Sequence, residues 1–386
     1  MYTRFIIHKY ENTGDGAWSE TPEVMEHFYD VQVTQSIEEN KDSFSFKVNN
    51  NRNAFNREFK PMDQINVYYS INGAPASEDN LIIVGLVKKI SLENSGSRKA
   101  FRVEGVGFSD VMTQALSFYN PADATQNVMQ YLQGCLDSIN LRNGNFNVTW
   151  DDSNPVLKSD DETPFPTFTQ DSARVRDYNK SMSKILNKYL IDKYTGDGSY
   201  FWYVNNDRKL VIRKRYTTGV DLVVNSPGDY ESVKTLINGD DVKNYVIVRC
   251  GLDNNNNPIS AYYDDVVSRA KHGFRYHMIV DMNISKDIKL ANPGISNNDL
   301  ISKAKDEGRA KAENYVKTHA KGFLVVQGQM KPRLDISVAN TVQVNITSYA
   351  EFNAETGNIR NKLMRVQSIQ YDLQGLLVEL KEEANV

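Results

Sequence analysis

The feature that most constrains this chain is a period-two alternation of apolar side chains. Residues two apart share a face only in an extended strand. The segment DSFSFKVNNNRNAFNREFKPMDQINVYYS, Asp42 to Ser70, carries it twice. Phe44, Phe46 and Val48 alternate with polar residues, and so do Ile65, Val67 and Tyr69. Between them lie three asparagines, Phe55, Phe59 and a turn at Pro61-Met62-Asp63. The pattern predicts two strands joined as a hairpin, one face packed and the other polar. Similar runs at Phe5–Tyr10, Phe28–Ile37, Asn80–Glu93 and Lys99–Ser109 are separated by polar turns. In the last of these, Phe101, Val103 and Val106 are expected on one side. Together they predict a small antiparallel barrel or sandwich over residues 1–110.

The pattern then changes. Asn120, Pro121 and Asp123 form a helix start, with Asn as cap, Pro at the first helical position and a carboxylate in the first turn. Val128, Leu132, Cys135, Leu136 and Ile139 follow at helical spacing. A polar loop containing Trp150, Phe165 and Phe168 leads to a second helix opened by Ser172, with a stripe through Val175, Tyr178, Met182, Ile185, Leu186 and Tyr189. Hairpins are predicted over Ser199–Tyr216, turning at Asn205–Asp207, and over Val242–Asp265, turning at Asn254–Pro258. The longest helix runs from about Asn297 to Ala320 and stops at Gly322, a residue suited to the left-handed position after a helix. Four strand-like runs complete the chain, beginning at Gly322, Asn340, Asn361 and Gly375.

The two β regions repeat an order of parts. DQINVYYS corresponds to NTVQVNITS, and each is followed by a polar insert. LIIVGLVKKISLE then corresponds to KLMRVQSIQYDL, and FRVEGVGF to LLVELKEE. Pattern alone does not separate a duplication from two generic meanders. The predicted fold class is α+β, mainly β, with two similar small antiparallel β-barrel domains and a mixed α/β middle. The expected division is 1–110 for the first barrel, 111–196 with 236–319 for the middle, 197–235 with 320–383 for the second barrel, and 384–386 as a tail. Twin barrels in one chain would let a three-fold oligomer present an approximately six-fold ring.

Composition narrows the function. In 386 residues, 40% are apolar and the net charge is -4, which suits ordinary cores and argues against a dedicated nucleic-acid binder. Cys135 and Cys250 lie far apart and read as buried small residues in a reduced compartment. The apolar run Phe5–Ile7 is too short for a signal peptide, and no run approaches a membrane span, so synthesis in the cytoplasm and no membrane insertion are expected. The histidines His8, His27, His272, His277 and His319 show no metal spacing, and they are expected to be solvent-exposed, with His272 and His277 on opposite faces of a strand. No nucleophile elbow and no phosphate loop occur. Asp151-Asp152 and Asp160-Asp161-Glu162 read as solvated acidic loops, and Arg208-Lys209 with Arg213-Lys214-Arg215 as a solvated strand face beside Phe201, Trp202 and Tyr203. Neither catalysis nor any metal or cofactor is predicted.

The order DSFSFKV, KPMDQINVYYS, NLIIVGLVKKI, FRVEGVGFSD, a helical middle, a long Ala/Lys/Glu helix, then FLVVQGQ, TVQVNI, MRVQSIQYDL and LLVELKEE resembles the baseplate hub proteins of contractile-tailed bacteriophages across nearly the whole chain. The base domains of type VI secretion spike proteins share that layout. Members typically carry Pro-Gly-Asp before the second strand, whereas Pro61-Met62-Asp63 departs at the glycine and Val338–Thr341 departs further. The resemblance implies a structural homotrimer in the virion, assembled in the host bacterial cytoplasm. It implies contacts with a tail tube or tube-initiator protein, a central spike, a tape-measure protein and baseplate wedge proteins, and a channel through which DNA passes without specific binding. On that reading Phe44, Phe46, Asn49, Asn50, Asn51, Phe55, Gln343 and Asn345 are candidates for the ring interface. The alternative is a tail-associated carbohydrate- or receptor-binding protein, suggested by 21 tyrosines and Asn-rich loops.

Overall fold

The computed structural model describes residues 2–14, 17–37, 42–49, 58–95, 98–119, 125–154, 167–169, 179–187, 189–190, 200–214, 219–226, 228–238, 242–320, 323–346 and 359–382. Alternation becomes strand where the sequence predicts it. Thr3–Tyr10, Phe28–Ser36, Ser43–Asn49, Gln64–Ile71, Leu81–Ser95 and Arg98–Gly107 lie in one sheet of thirteen strands. Leu222–Ser226, Tyr230–Asn238, Phe323–Met330, Thr341–Ile346, Ile359–Tyr371 and Leu376–Glu382 belong to the same sheet. Its core runs unbroken from Phe5, Phe46 and Val67 in the first half to Val344, Ile369 and Leu380 in the second.

The expected hairpin is not one. Ser43–Asn49 pairs with Phe28–Ser36 and Arg98–Gly107, while Gln64–Ile71 pairs with Thr3–Tyr10 and Leu81–Ser95. Two strands therefore lie between the members of the presumed hairpin. Alternation fixes which face of a strand is apolar but carries no information about its neighbour. The polar face of Gln64–Ile71 is also buried, because Gln64, Asn66, Tyr68 and Ser70 are covered from the other side. Val106 also departs from the expectation. It pairs with Leu86, whereas Val103 faces the main core.

The duplication is visible in strand order. The first half reads 28–36, 43–49, 98–107, 81–95, 64–71, 3–10 across the sheet. The second reads 230–238, 323–330, 376–382, 359–371, 341–346, 222–226. The three segment matches found in the sequence fall on equivalent strands. Even a bulge repeats, with Lys88 the extra residue between Val87 and Lys89, and Gln367 the extra residue between Val366 and Ser368. The halves differ at the final strand. Thr3–Tyr10 runs antiparallel to its neighbour, whereas Leu222–Ser226 runs parallel.

A second core lies beside the first half. The helix Val128–Asn143 buries Leu132, Cys135, Leu136 and Ile139 against Met182, Ile185, Leu186 and the hairpin strands Tyr200–Val204 and Lys209–Lys214. Val84, Leu86 and Phe108 of the first half close it. The segment 197–235 was expected wholly in the second barrel. Only Leu222–Ser226 and the start of Tyr230–Asn238 join the large sheet there, while the hairpin before them forms a separate sheet with Thr149–Trp150. The predicted helix starts at Asn120 and Ser172 and the stop at Gly322 fall outside the described residues.

A third core is built on Tyr245–Leu252, paired antiparallel with Pro258–Asp264 and parallel with Tyr276–Val280. The helices Asn283–Ala291 and Asn297–His319 cover one face through Ile284, Ile288, Leu300, Ala304, Ala312 and Val316. Ser296 caps the long helix by accepting from the Asp299 N–H at 3.2 Å. Gly308 allows the close approach of this helix, since a Cβ there would lie 2.3 Å from Cys250 Sγ. His272 ends the helix Val266–His272 rather than lying on a strand with His277.

Candidate functional site

The two halves meet at a short antiparallel seam in which Val33, Thr34, Gln35 and Ser36 face Tyr371, Gln370, Ile369 and Ser368. The backbone pairing continues one step further, with Ile37 N–H donating to Gln367 O at 3.0 Å. Side chains reinforce it. Tyr371 Oη donates to Gln35 Oε1 at 3.3 Å, and Gln35 Nε2 donates to Ile82 O at 2.7 Å. Tyr69 Oη donates to Asp372 O at 3.0 Å, and Thr3 Oγ1 donates to Leu373 O. The rings of Phe5, Tyr69 and Tyr371 stand in a row with successive centroids 5.5 Å apart, a spacing suited to edge-to-face packing. Burial pushes the Tyr69 hydroxyl up to about 12 and raises that of Tyr371, so both remain neutral donors. A groove of about 720 Å³ opens beside the seam, between Thr3–Phe5, Phe28–Gln32 and the turn after Tyr371.

A second link joins the halves through the hairpin Tyr200–Lys214. Arg365, 2% exposed, donates to Ala339 O at 2.8 Å and lies 4.6 Å over the Phe201 ring. Arg208 lies over Trp18 and Phe108, at 4.6 and 4.4 Å, and donates to Gln64 Oε1. Part of the basic run read as a solvated face is therefore a structural clamp. Desolvation lowers the Arg208 guanidinium below its ordinary value, and the aromatic faces on either side offset that cost. Arg213 sits 6.0 Å from the Tyr203 ring, and Arg215 lies outside the described residues.

The candidate interface residues divide. Phe44 and Phe46 are core, at 3% and 0% exposure, with stacked rings 6.2 Å apart. Asn49 is exposed at the end of its strand. Asn50, Asn51 and Phe55 lie outside the described residues. Gln343 and Asn345 sit on the polar face of Thr341–Ile346, where Asn345 Nδ2 donates to Asn225 Oδ1 at 3.1 Å. These side chains do not form one cluster. The outward face of the first half instead carries a balanced charge lattice. Lys47 reaches Asp30 and Glu93 at 3.1 and 3.2 Å, Arg102 reaches Glu104 at 3.0 Å, and Lys89 reaches Glu104 at 3.2 Å.

Among the described residues, nothing covers the far face of the third core's sheet. Tyr262, Tyr276, Val280 and the adjacent Phe274 are each more than half exposed, and Tyr245 packs against Tyr262 and Phe274 at 5.6 and 5.2 Å. His277 stacks on Tyr315 at 4.6 Å, and Tyr315 on His319 at 4.0 Å. Burial, with Lys243 nearby, holds His277 below its ordinary pKa. No group of three or more metal-ligating side chains occurs among the described residues, Asp160–Glu162 lying outside them. No described helix is long and apolar enough to cross a membrane.

This architecture, a repeated β-module in one sheet interrupted by two smaller units, is similar in fold to solved phage tail proteins. The 43 kDa tail protein of prophage MuSo2 from Shewanella oneidensis superposes with a TM-score of 0.56 at 12% identity, covering 98% of each chain. A tail protein from Neisseria meningitidis MC58 gives 0.55 at 11%, covering 99% of this chain and 97% of that one. Prophage tail protein gp18 from Listeria monocytogenes EGD-e gives 0.52 at 12%, covering 99% and 95%. No protein-family model matches the sequence, and no curated protein matches it.

Proposed function

We propose that this chain is the structural hub of a contractile phage tail baseplate. Three copies form a ring whose six similar modules receive a hexameric tail tube on one side and a trimeric spike on the other. The observation that carries this reading is the repeated six-strand order within one continuous sheet. A chain holding two similar modules converts three-fold into near six-fold symmetry without a second protein. The length-wise likeness to prophage tail proteins supports the same reading. The ring leaves a channel for the tape-measure protein and then DNA, and the charge-balanced outer face of the first half suits a wall that does not retain phosphates. The middle units stand outside the ring, where the uncovered Tyr262, Phe274 and Tyr276 face meets wedge proteins. The corresponding division is two modules, 2–107 and 222–238 with 323–382, carrying outer units at 109–214 and 242–320.

Light scattering on the purified full chain, alone and mixed with its spike protein, tests this. A trimer is expected, and a monomer under both conditions overturns it. The exposed aromatic face also fits a carbohydrate-binding tail component. Glycan-array binding by a chain that never forms rings would favour that second reading.

A further inference from the structure

The seam inside the chain has a counterpart that is open. The bulge and the strand pairings align the halves residue by residue. Lys89, Ile90, Ser91 and Leu92 occupy the positions of Ser368, Ile369, Gln370 and Tyr371. By the pairing with their inner neighbours, Thr235, Leu236, Ile237 and Asn238 occupy the positions of Val33, Thr34, Gln35 and Ser36. The seam joins the second half's 368–371 to the first half's 33–36. Among the described residues, the converse pair is not joined to each other or to any further strand on these edges. Gln64–Ile71 borders Leu81–Ser95 only as far as Leu86, and beyond Val87 no described strand lies on that edge. Tyr230–Asn238 ends the sheet.

We infer that Lys89–Leu92 of one copy pairs antiparallel with Thr235–Asn238 of a second copy, with Lys89 opposite Asn238 and Leu92 opposite Thr235. This rests on the hub reading above and names the surface that builds its ring. Side-chain burial provides a second, independent sign. Tyr371 at the seam is 4% exposed, but its counterpart Leu92, on the same face, is 52% exposed. Ile369 is fully buried, and its counterpart Ile90 is half-buried. An unpaired strand edge beside an exposed leucine invites another strand. Among the described strands, the edge with the geometry already realised at the seam is the one on Tyr230–Asn238. The contact is head-to-tail, so repetition generates a closed ring or a filament according to the rotation per copy. Alternating seam and junction then places six pseudo-equivalent joints in three chains.

The test is a cysteine pair, Ser91→Cys with Leu236→Cys, which lie opposite one another in the inferred register. On mild oxidation of the full chain, covalent dimers and trimers are expected, ending at three, while each single variant stays uncrosslinked. A chain that light scattering finds trimeric but that does not crosslink overturns the strand assignment and leaves the hub reading standing. A monomer overturns both. The companion variant Leu92→Asp, at an already exposed position, is expected to keep the monomer's melting temperature and to weaken self-association at least tenfold. A Leu92→Asp chain that assembles like the parent overturns the inference.

Discussion

At the residue scale, two buried groups decide more than their sequence context suggests. Arg365 is a charge in a core, satisfied by a carbonyl and an aromatic face. Truncation leaves the Ala339 carbonyl without this donor and a hole beside Phe201. Arg365→Ala should therefore cost roughly 2–4 kcal/mol in urea unfolding. Gly308 sets two effects against each other. Alanine in a helix interior gains about 1 kcal/mol over glycine, but the new Cβ would meet Cys250 Sγ and the Ala261 Cβ. Overpacking of that kind costs about 1–3 kcal/mol, so Gly308→Ala should lower the melting temperature. His277 makes the third core sensitive to pH. Its proton is disfavoured by burial and by Lys243 in the folded state, so its contribution to stability is intact above the unfolded value near 6.5. That contribution is lost as pH falls below it. Denaturation midpoints measured from pH 7.5 to 5 should fall more for the parent than for His277→Phe, which keeps a ring against Tyr315.

At the element scale, the seam has a partner strand and the Tyr371–Gln35 bond, and the open edge has neither among the described residues. Amide exchange should therefore be slow at Val33–Ser36 and Ser368–Tyr371 in any state of the protein. Over Lys89–Leu92 it should be faster in dilute monomer and slow after assembly, and equal protection before and after assembly would contradict the open edge. Tyr371→Phe removes one hydroxyl bond to Gln35 from the closed seam, with an expected cost of about 1 kcal/mol by urea titration. Strand positions, the two described hairpins and the long helix were legible in the sequence. Helical spacing identified the buried face of Val128–Asn143 through Leu132, Cys135, Leu136 and Ile139. The hairpin reading of Asp42–Ser70 failed because alternation specifies a face and leaves the partner open. The interface candidates were chosen from the same alternation, which is why Phe44 and Phe46 fell in the core.

For the whole molecule, the repeated order of segments pointed to two similar β-modules, because each strand's length and apolar face are written locally, but the pattern by itself left two generic meanders equally open. DQINVYYS and NTVQVNITS, with the two segments after each, do lie on equivalent strands. The sequence did not reveal that the two modules share one sheet, nor which edges close it. The seam pairs Ser36 with Ser368 across most of the chain's length. Such a pairing depends on backbone groups common to every residue, and its choice is made by how the intervening cores hold the edges together. Local chemistry thus determined the strands, their faces and their repetition, while tertiary packing alone decided which edge is satisfied within the chain and which is left for another copy.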